Sequence, residues 1–130
     1  MAIIRAYADL DVWKQSMCLV EDVYKLTKSL PPDERFGLIS QIQRAVVSIP
    51  ANIAEGHGRR STGAYLNHLS ISYGSLMELE THIHIAHRLN YIEQKLLDAL
   101  LNKTSEIGRM LNGLRRALHP ESRIPNPESK

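Results

Sequence analysis

Apolar residues recur every third or fourth position along most of this chain, the spacing that gathers them on one face of an α-helix. Val12, Ser16, Leu19, Val23 and Leu26 form the first stripe and predict a helix over about residues 9–28. SLPPDE stops it: Pro31 and Pro32 cannot continue a helix, and Asp33 and Glu34 suit the positive end of the next one. The second helix is predicted over about residues 33–55, with Ile39, Ile42, Val46, Ile49 and Ile53 in a near-continuous stripe. GHGRRS closes it, with Gly56 or Gly58 expected as a left-handed cap. Ser61 is a suitable N-cap for a third helix to about residue 89, whose core side carries Leu66, Leu69, Tyr73, Leu76 and Ile83, flanked by Leu79 and Ala86. After the short connection LNY, a fourth helix over about residues 92–118 turns Leu96, Leu100, Ile107, Met110, Leu111 and Leu114 inward.

No stretch alternates as a strand would, and no internal repeat occurs. Long helices joined by short connections predict an all-α fold, an antiparallel up-down-up-down four-helix bundle. The bundle is expected to occupy residues 1–119, and HPESRIPNPESK, with three prolines in twelve residues, leaves 120–130 as a flexible C-terminal tail.

Composition adds constraints rather than a function. The chain is 43% hydrophobic and 23% charged, close to an ordinary soluble globular protein, and its aromatics are scarce. That balance favours helices packed by aliphatic side chains over a β-sandwich. A net charge of +2 is too small to imply a polyanionic partner by itself. Cys18, the single cysteine, excludes an intrachain disulfide and a thiolate metal cluster; its place in an apolar helical pattern predicts a buried, inert thiol. MAIIRAYADL does not read as a signal peptide, and no run approaches the roughly 20 apolar residues that span a bilayer. The expectation is a cytoplasmic protein with no membrane partner.

The most informative segment is RAVVSIPANIAEGHGRRS in the second helix. At 100° per residue, Gln41, Arg44, Ser48, Asn52 and Glu55 fall within about 80° of one another, roughly 130° from the apolar stripe. An ordinary solvated face is richer in Lys and Glu. This mixed row of amides, hydroxyl, guanidinium and carboxylate is suited to a hydrogen-bonded network or a subunit interface. Pro50 stands in the middle of it, where proline removes a helical hydrogen bond and costs about 3 kcal/mol. Because the stripe continues in phase from Val46 through Ile49 to Ile53, a kink is expected at Pro50 rather than a break. In the third helix Ser75, Glu78 and Glu80 extend the candidate network, and Gly74 and Ser75 leave room for another helix. A partly buried Glu80 calls for a cationic partner, for which Arg44 is the economical choice.

His82, His84 and His87, with Glu78 and Glu80, raise a metal site, but the Glu-x-x-His pairing of di-iron bundles is missing, so no metal is expected. No nucleophile motif, phosphate loop or dinucleotide fingerprint occurs, and neither catalytic residues nor a cofactor are expected. EGHGRR follows a helix rather than a strand, which removes its resemblance to a phosphate loop. The basic residues Arg59, Arg60, Arg109, Arg115 and Arg116 are candidates for phosphate contacts, beside their ordinary role near a helix C-terminus.

Three segments carry a family resemblance: DLDVWKQSM, QIQRAVVSIPANIAEGHGRRS and YGSLMELETHIHIAHRLNYI. Over about residues 7–118 the chain resembles the four-helix-bundle family named for proteins encoded in intervening sequences of bacterial 23S rRNA genes. The family pattern falls on Arg44, Ser48, Asn52, Glu55 and Gly56, and then on Gly74, Ser75, Glu78 and Thr81. Leu30 departs from it where an aromatic is common, as does His82 where a glutamine is common. The resemblance implies a bundle assembled as a ring-shaped homopentamer. It also implies an architecture similar to the basic pentameric accessory proteins of diversity-generating retroelements, which bind nucleic acid and a reverse transcriptase. The functional expectation is therefore a non-enzymatic oligomeric module that binds RNA or a nucleoprotein partner. The alternative is a structural or protein-interaction bundle with no nucleic-acid role.

Overall fold

The structure, a computed structural model, describes residues 6–118, so the tail expected at 120–130 lies outside the described residues. Four helices make up the fold: α1 (Asp11–Thr27), α2 (Leu38–His57), α3 (Thr62–Arg88) and α4 (Gln94–Leu118). Short 3-10 turns at Tyr7–Asp9 and Pro32–Glu34 precede α1 and α2, and no strand occurs among the described residues.

The helices pack around one aliphatic core. Leu19, Val23, Ile42, Val46, Ile49, Ile53, Leu69, Leu76, Leu79, Ile83 and Leu111 are almost entirely removed from water. The whole α1 stripe is buried, and Ser16 satisfies itself there by donating to the Val12 carbonyl at 2.7 Å. On α4 the inward residue of the first turn is Leu97, while Leu96, expected inward, is exposed. The reason is phase: Leu97, Thr104 and Leu111 recur at seven-residue spacing and all three are buried. Cys18 is exposed, against the expectation of a buried thiol. It lies one residue, about 100°, away from the inward Leu19.

Neighbouring helices are pinned to one another by specific pairs. Along α2 and α3 the partners run in opposite senses: Ser48 meets Ser75, Asn52 meets His68, and Gly56 meets Tyr65. Residue numbers likewise fall on α4 as they rise on α3, with Tyr73 against Arg115 and Glu80 against Thr104. Gln43 reaches Thr27 at 3.2 Å between α2 and α1, and Lys103 pairs with Asp22 between α4 and α1.

The helix ends differ from the sequence expectations in two instructive places. α2 begins at Leu38, not near residue 33, because Pro32–Glu34 winds as a 3-10 turn and Gly37 leaves helical geometry at φ −111°, ψ −109°. Glu34, expected inside the helix, instead accepts a hydrogen bond from the Leu38 N–H at 3.2 Å. The other oxygen of Glu34 accepts from the Tyr91 hydroxyl at 2.8 Å, tying the α3–α4 connection to the entry of α2.

The left-handed cap expected at Gly56 or Gly58 is absent: Gly58 has φ −80° and ψ −7°, and no described glycine has a positive φ. The left-handed residue is Asn90, at φ 65°, in the connection after α3. Asparagine tolerates that conformation better than most residues. At the start of α3 the expected N-cap forms, with the Ser61 hydroxyl accepting from the Ala64 N–H at 3.1 Å. α2 itself runs unbroken through the buried Pro50.

Candidate functional site

The polar row of α2 separates into a hydrogen-bonded seam and an exposed margin. Ser75 donates its hydroxyl to Ser48 Oγ at 2.8 Å. The Asn52 amide nitrogen donates to the same Oγ at 3.0 Å and to the Ser48 carbonyl at 2.9 Å. With its nitrogen so engaged, Asn52 presents its oxygen to His68 Nδ1 at 3.1 Å, which makes Nδ1 the protonated ring nitrogen. One turn deeper, the buried Ser72 hydroxyl donates to the Ile49 carbonyl at 2.9 Å, beside Pro50. His68 thus meets an amide oxygen, and the seam joins the two helices through this imidazole–amide contact.

Arg44 stands at the margin of this seam, where Arg44, Ser48, Ser75 and Glu78 line a surface cavity of about 250 Å³. The expected Arg44–Glu80 pair does not form. Glu80 accepts from Thr104 Oγ1 at 2.6 Å, on the α4 side of α3. Glu80 follows Glu78 by two residues, about 200° around the helix, which carries it away from α2. Glu55 is engaged with Arg59 at 2.9 Å, a half-exposed ion pair worth little to stability. Gln41 is exposed.

The histidines are dispersed. His82 Nε2 lies 3.2 Å from Glu78 Oε2, and its Nδ1 is buried without a hydrogen-bond partner. His84 is exposed, and among the described residues no group of three or more His, Cys, Asp or Glu is placed to hold a metal.

The candidate basic residues are grouped only in part. Arg115 and Arg116, in the last turn of α4, line a cavity of about 570 Å³ with Gly63, Leu66, Asn67, Ser70 and Asn112. Arg115 is held in place: its Nη1 donates to Asn112 Oδ1 at 3.0 Å, and its guanidinium lies 5.6 Å from the Tyr73 ring centre. Arg59 and Arg60 directly precede the start of α3, at the same end of the molecule. Arg109 is farther down α4 and is paired with Glu106 at 3.4 Å.

A second surface feature escaped the sequence reading. Phe36, in the connection before α2, is 90% exposed, and it borders a groove of about 720 Å³ with Tyr24, Ile39 and Val47. Arg35 lies 5.5 Å from the Phe36 ring centre. The residues that sequence patterning missed have different degrees of legibility. Ser72 and Thr104 occupy apolar stripes at helical spacing, between Leu69 and Leu76 and between Leu100 and Ile107, so their burial had a signal. His68 had none, because its partner Asn52 comes from another helix, and Asn67 and Asn112 gave none because the cavity they line is shared between α3 and α4.

No helix among the described residues is long and apolar enough to cross a membrane. No curated protein matches the chain. Among solved structures, it is similar to a 1.70 Å crystal structure of a protein with unknown function from the S23 ribosomal protein family of Bacteroides thetaiotaomicron. The two are 27% identical, with a TM-score of 0.75, over 80% of this chain and 97% of that one. Residues 8–113 match the model of the 23S rRNA-intervening sequence protein family, which takes in the seam, the Phe36 groove and most of α4. With that match spanning most of its length, the chain belongs to the 23S rRNA-intervening sequence protein family.

Proposed function

We propose that the protein is a non-enzymatic helical module of the cytoplasm that self-associates and binds structured RNA, alone or within a nucleoprotein. The observation that carries the RNA reading is the position of Arg115 and Arg116 on the wall of an open cavity against α3. Arg59 and Arg60 lie at the same end, and no acidic residue follows Glu106 within α4. A ring of subunits, five being the number the family resemblance implies, repeats this small patch. Weak phosphate contacts then add through avidity although each chain carries a net charge of only +2.

The test is a gel-shift series with a structured RNA at two salt concentrations. Binding should weaken steeply with salt, and Arg115→Gln with Arg116→Gln should lower the logarithmic salt slope by about 1.5 per subunit engaged. Absence of binding to any RNA at low salt removes this reading. The second reading, a protein-interaction bundle with no nucleic-acid role, draws its support from the exposed Phe36 groove, since apolar surface of this kind is a common protein contact.

A further inference from the structure

Resting on the RNA-binding reading, we infer that the cavity between the start of α3 and the end of α4 accepts one unpaired nucleotide. Charge alone would call for a uniformly basic surface. Instead the two arginines share a cavity of about 570 Å³ with two amides, a hydroxyl and an apolar wall. That size lies within the range of about 300–1,000 Å³ typical of small-molecule sites.

The chemistry of the lining matches the parts of a nucleotide. Leu66 provides an apolar surface for a base face. Asn67 is exposed, and its amide offers one donor and one acceptor, the pattern that complements the N6 and N7 edge of adenine. Asn112 has its oxygen committed to Arg115, which leaves its amide hydrogens as donors. Arg115 is backed by the Tyr73 ring and fixed by Asn112, so its guanidinium is a preset plane that can stack on a base or fork onto a phosphate. Unpaired bases in RNA are recognised in this way, by stacking on aromatic or arginine planes and by hydrogen bonds to their edges. With few aromatics in the chain, an arginine plane is the stacking surface available here, and the cavity adds a base-directed contact to the phosphate contacts.

Fluorescence anisotropy with two labelled RNA hairpins tests this, one with a fully paired stem and one with a single bulged adenosine in the same stem. The bulged hairpin should bind about tenfold more tightly at equal salt, a preference of the size that one stacked base supplies. Asn67→Ala, with its helicity checked by circular dichroism, should bring the bulged hairpin down towards the paired one. Millimolar AMP should also remove the advantage by competing for the cavity. Equal binding of the two hairpins by the unmodified protein overturns the nucleotide site while leaving RNA binding in place. If neither hairpin binds and AMP does, the ligand is a free nucleotide and the RNA reading falls. If neither hairpin nor AMP binds, both fall.

Discussion

Gly56 and His68 are packed so closely that a Cβ added to Gly56 would lie 2.7 Å from the Cβ of His68. It would also lie 3.1 Å from Tyr65 Cδ1 and 3.3 Å from the Tyr65 carbonyl oxygen. The glycine therefore permits α2 and α3 to approach, which is a different task from capping a helix. Gly56→Ala should destabilise the protein by about 1–3 kcal/mol despite alanine's better helix propensity, because β-carbons and backbone cannot yield as a side-chain tip can. The exposed Gly74, whose added Cβ meets nothing within 4 Å in the chain, provides the contrast. Gly74→Ala should raise the stability of the separated chain by about 0.5–1 kcal/mol, and urea denaturation of the two variants compares them directly.

The buried Thr104 hydroxyl is the observed partner of Glu80. Thr104→Val keeps the shape of the side chain and removes the donor, and should cost about 1–3 kcal/mol. Combining it with Glu80→Leu should recover part of that loss, since an apolar pair leaves no carboxylate in want of a partner. Arg44→Met, by contrast, should change chain stability by less than about 0.5 kcal/mol, as expected for an exposed position without an intrachain bond. Urea denaturation measures these variants, Glu80→Leu alone completes the double-mutant cycle, and no coupling between Thr104 and Glu80 would contradict the contact.

Phe36 tests assembly separately from folding. It is exposed, so Phe36→Asp should leave the helical content of the chain nearly unchanged. If the proposed self-association occurs and uses the groove it borders, the substitution should shift the protein from oligomer to monomer in light scattering at micromolar concentration. An unchanged oligomer would place the subunit contact elsewhere.

The Tyr91–Glu34 link gives a pH signature. Tyr91 titrates above the ordinary tyrosine value because its hydroxyl donates to Glu34, with burial and the charges of Glu34 and Asp33 adding to the effect. Its neutral form is thus favoured in the folded chain. The resulting stabilisation is full below the unfolded pKa of about 10, where both states hold the proton, and is lost as the pH rises through the higher folded value. Tyr91→Phe should therefore lower stability at neutral pH and flatten its decline in alkali. Thermal melts of both proteins from pH 8 to 11 measure the difference.

The fold was readable because aliphatic residues at three- and four-residue spacing determine which face of each helix is buried, and that signal is local. Ser16 was read correctly for this reason, and Ser72 and Thr104 carry the same signal although they are polar. The ends of α2 were less readable because capping depends on which of several nearby groups wins. Glu34 became a cap rather than a helical residue, and the left-handed position went to Asn90 instead of a glycine. The seam was half legible. Helical angles grouped Ser48 with Asn52, and Ser75 was marked as a candidate, but His68 gave no hint that it would close the chain. Arg44 and Glu80 show the limit most directly: opposite charge suggested a pair, whereas α3 turns Glu80 towards α4.

The seam between α2 and α3 has a consequence for how the two helices can slide. Isoleucine and leucine surfaces are forgiving, and a helix displaced by one turn along such a surface still finds grooves to fill. Ser48, Asn52, Ser75 and His68 do not share that tolerance, because their groups match at one offset only. A slip of one turn, about 5.4 Å, would bring each of them opposite the wrong neighbour and strand half-buried polar atoms. The seam thus acts as an index pin. It adds little net stability over an apolar contact, but it selects a single register for the helical hairpin and so fixes how far apart the Phe36 groove and the arginine-lined cavity stand.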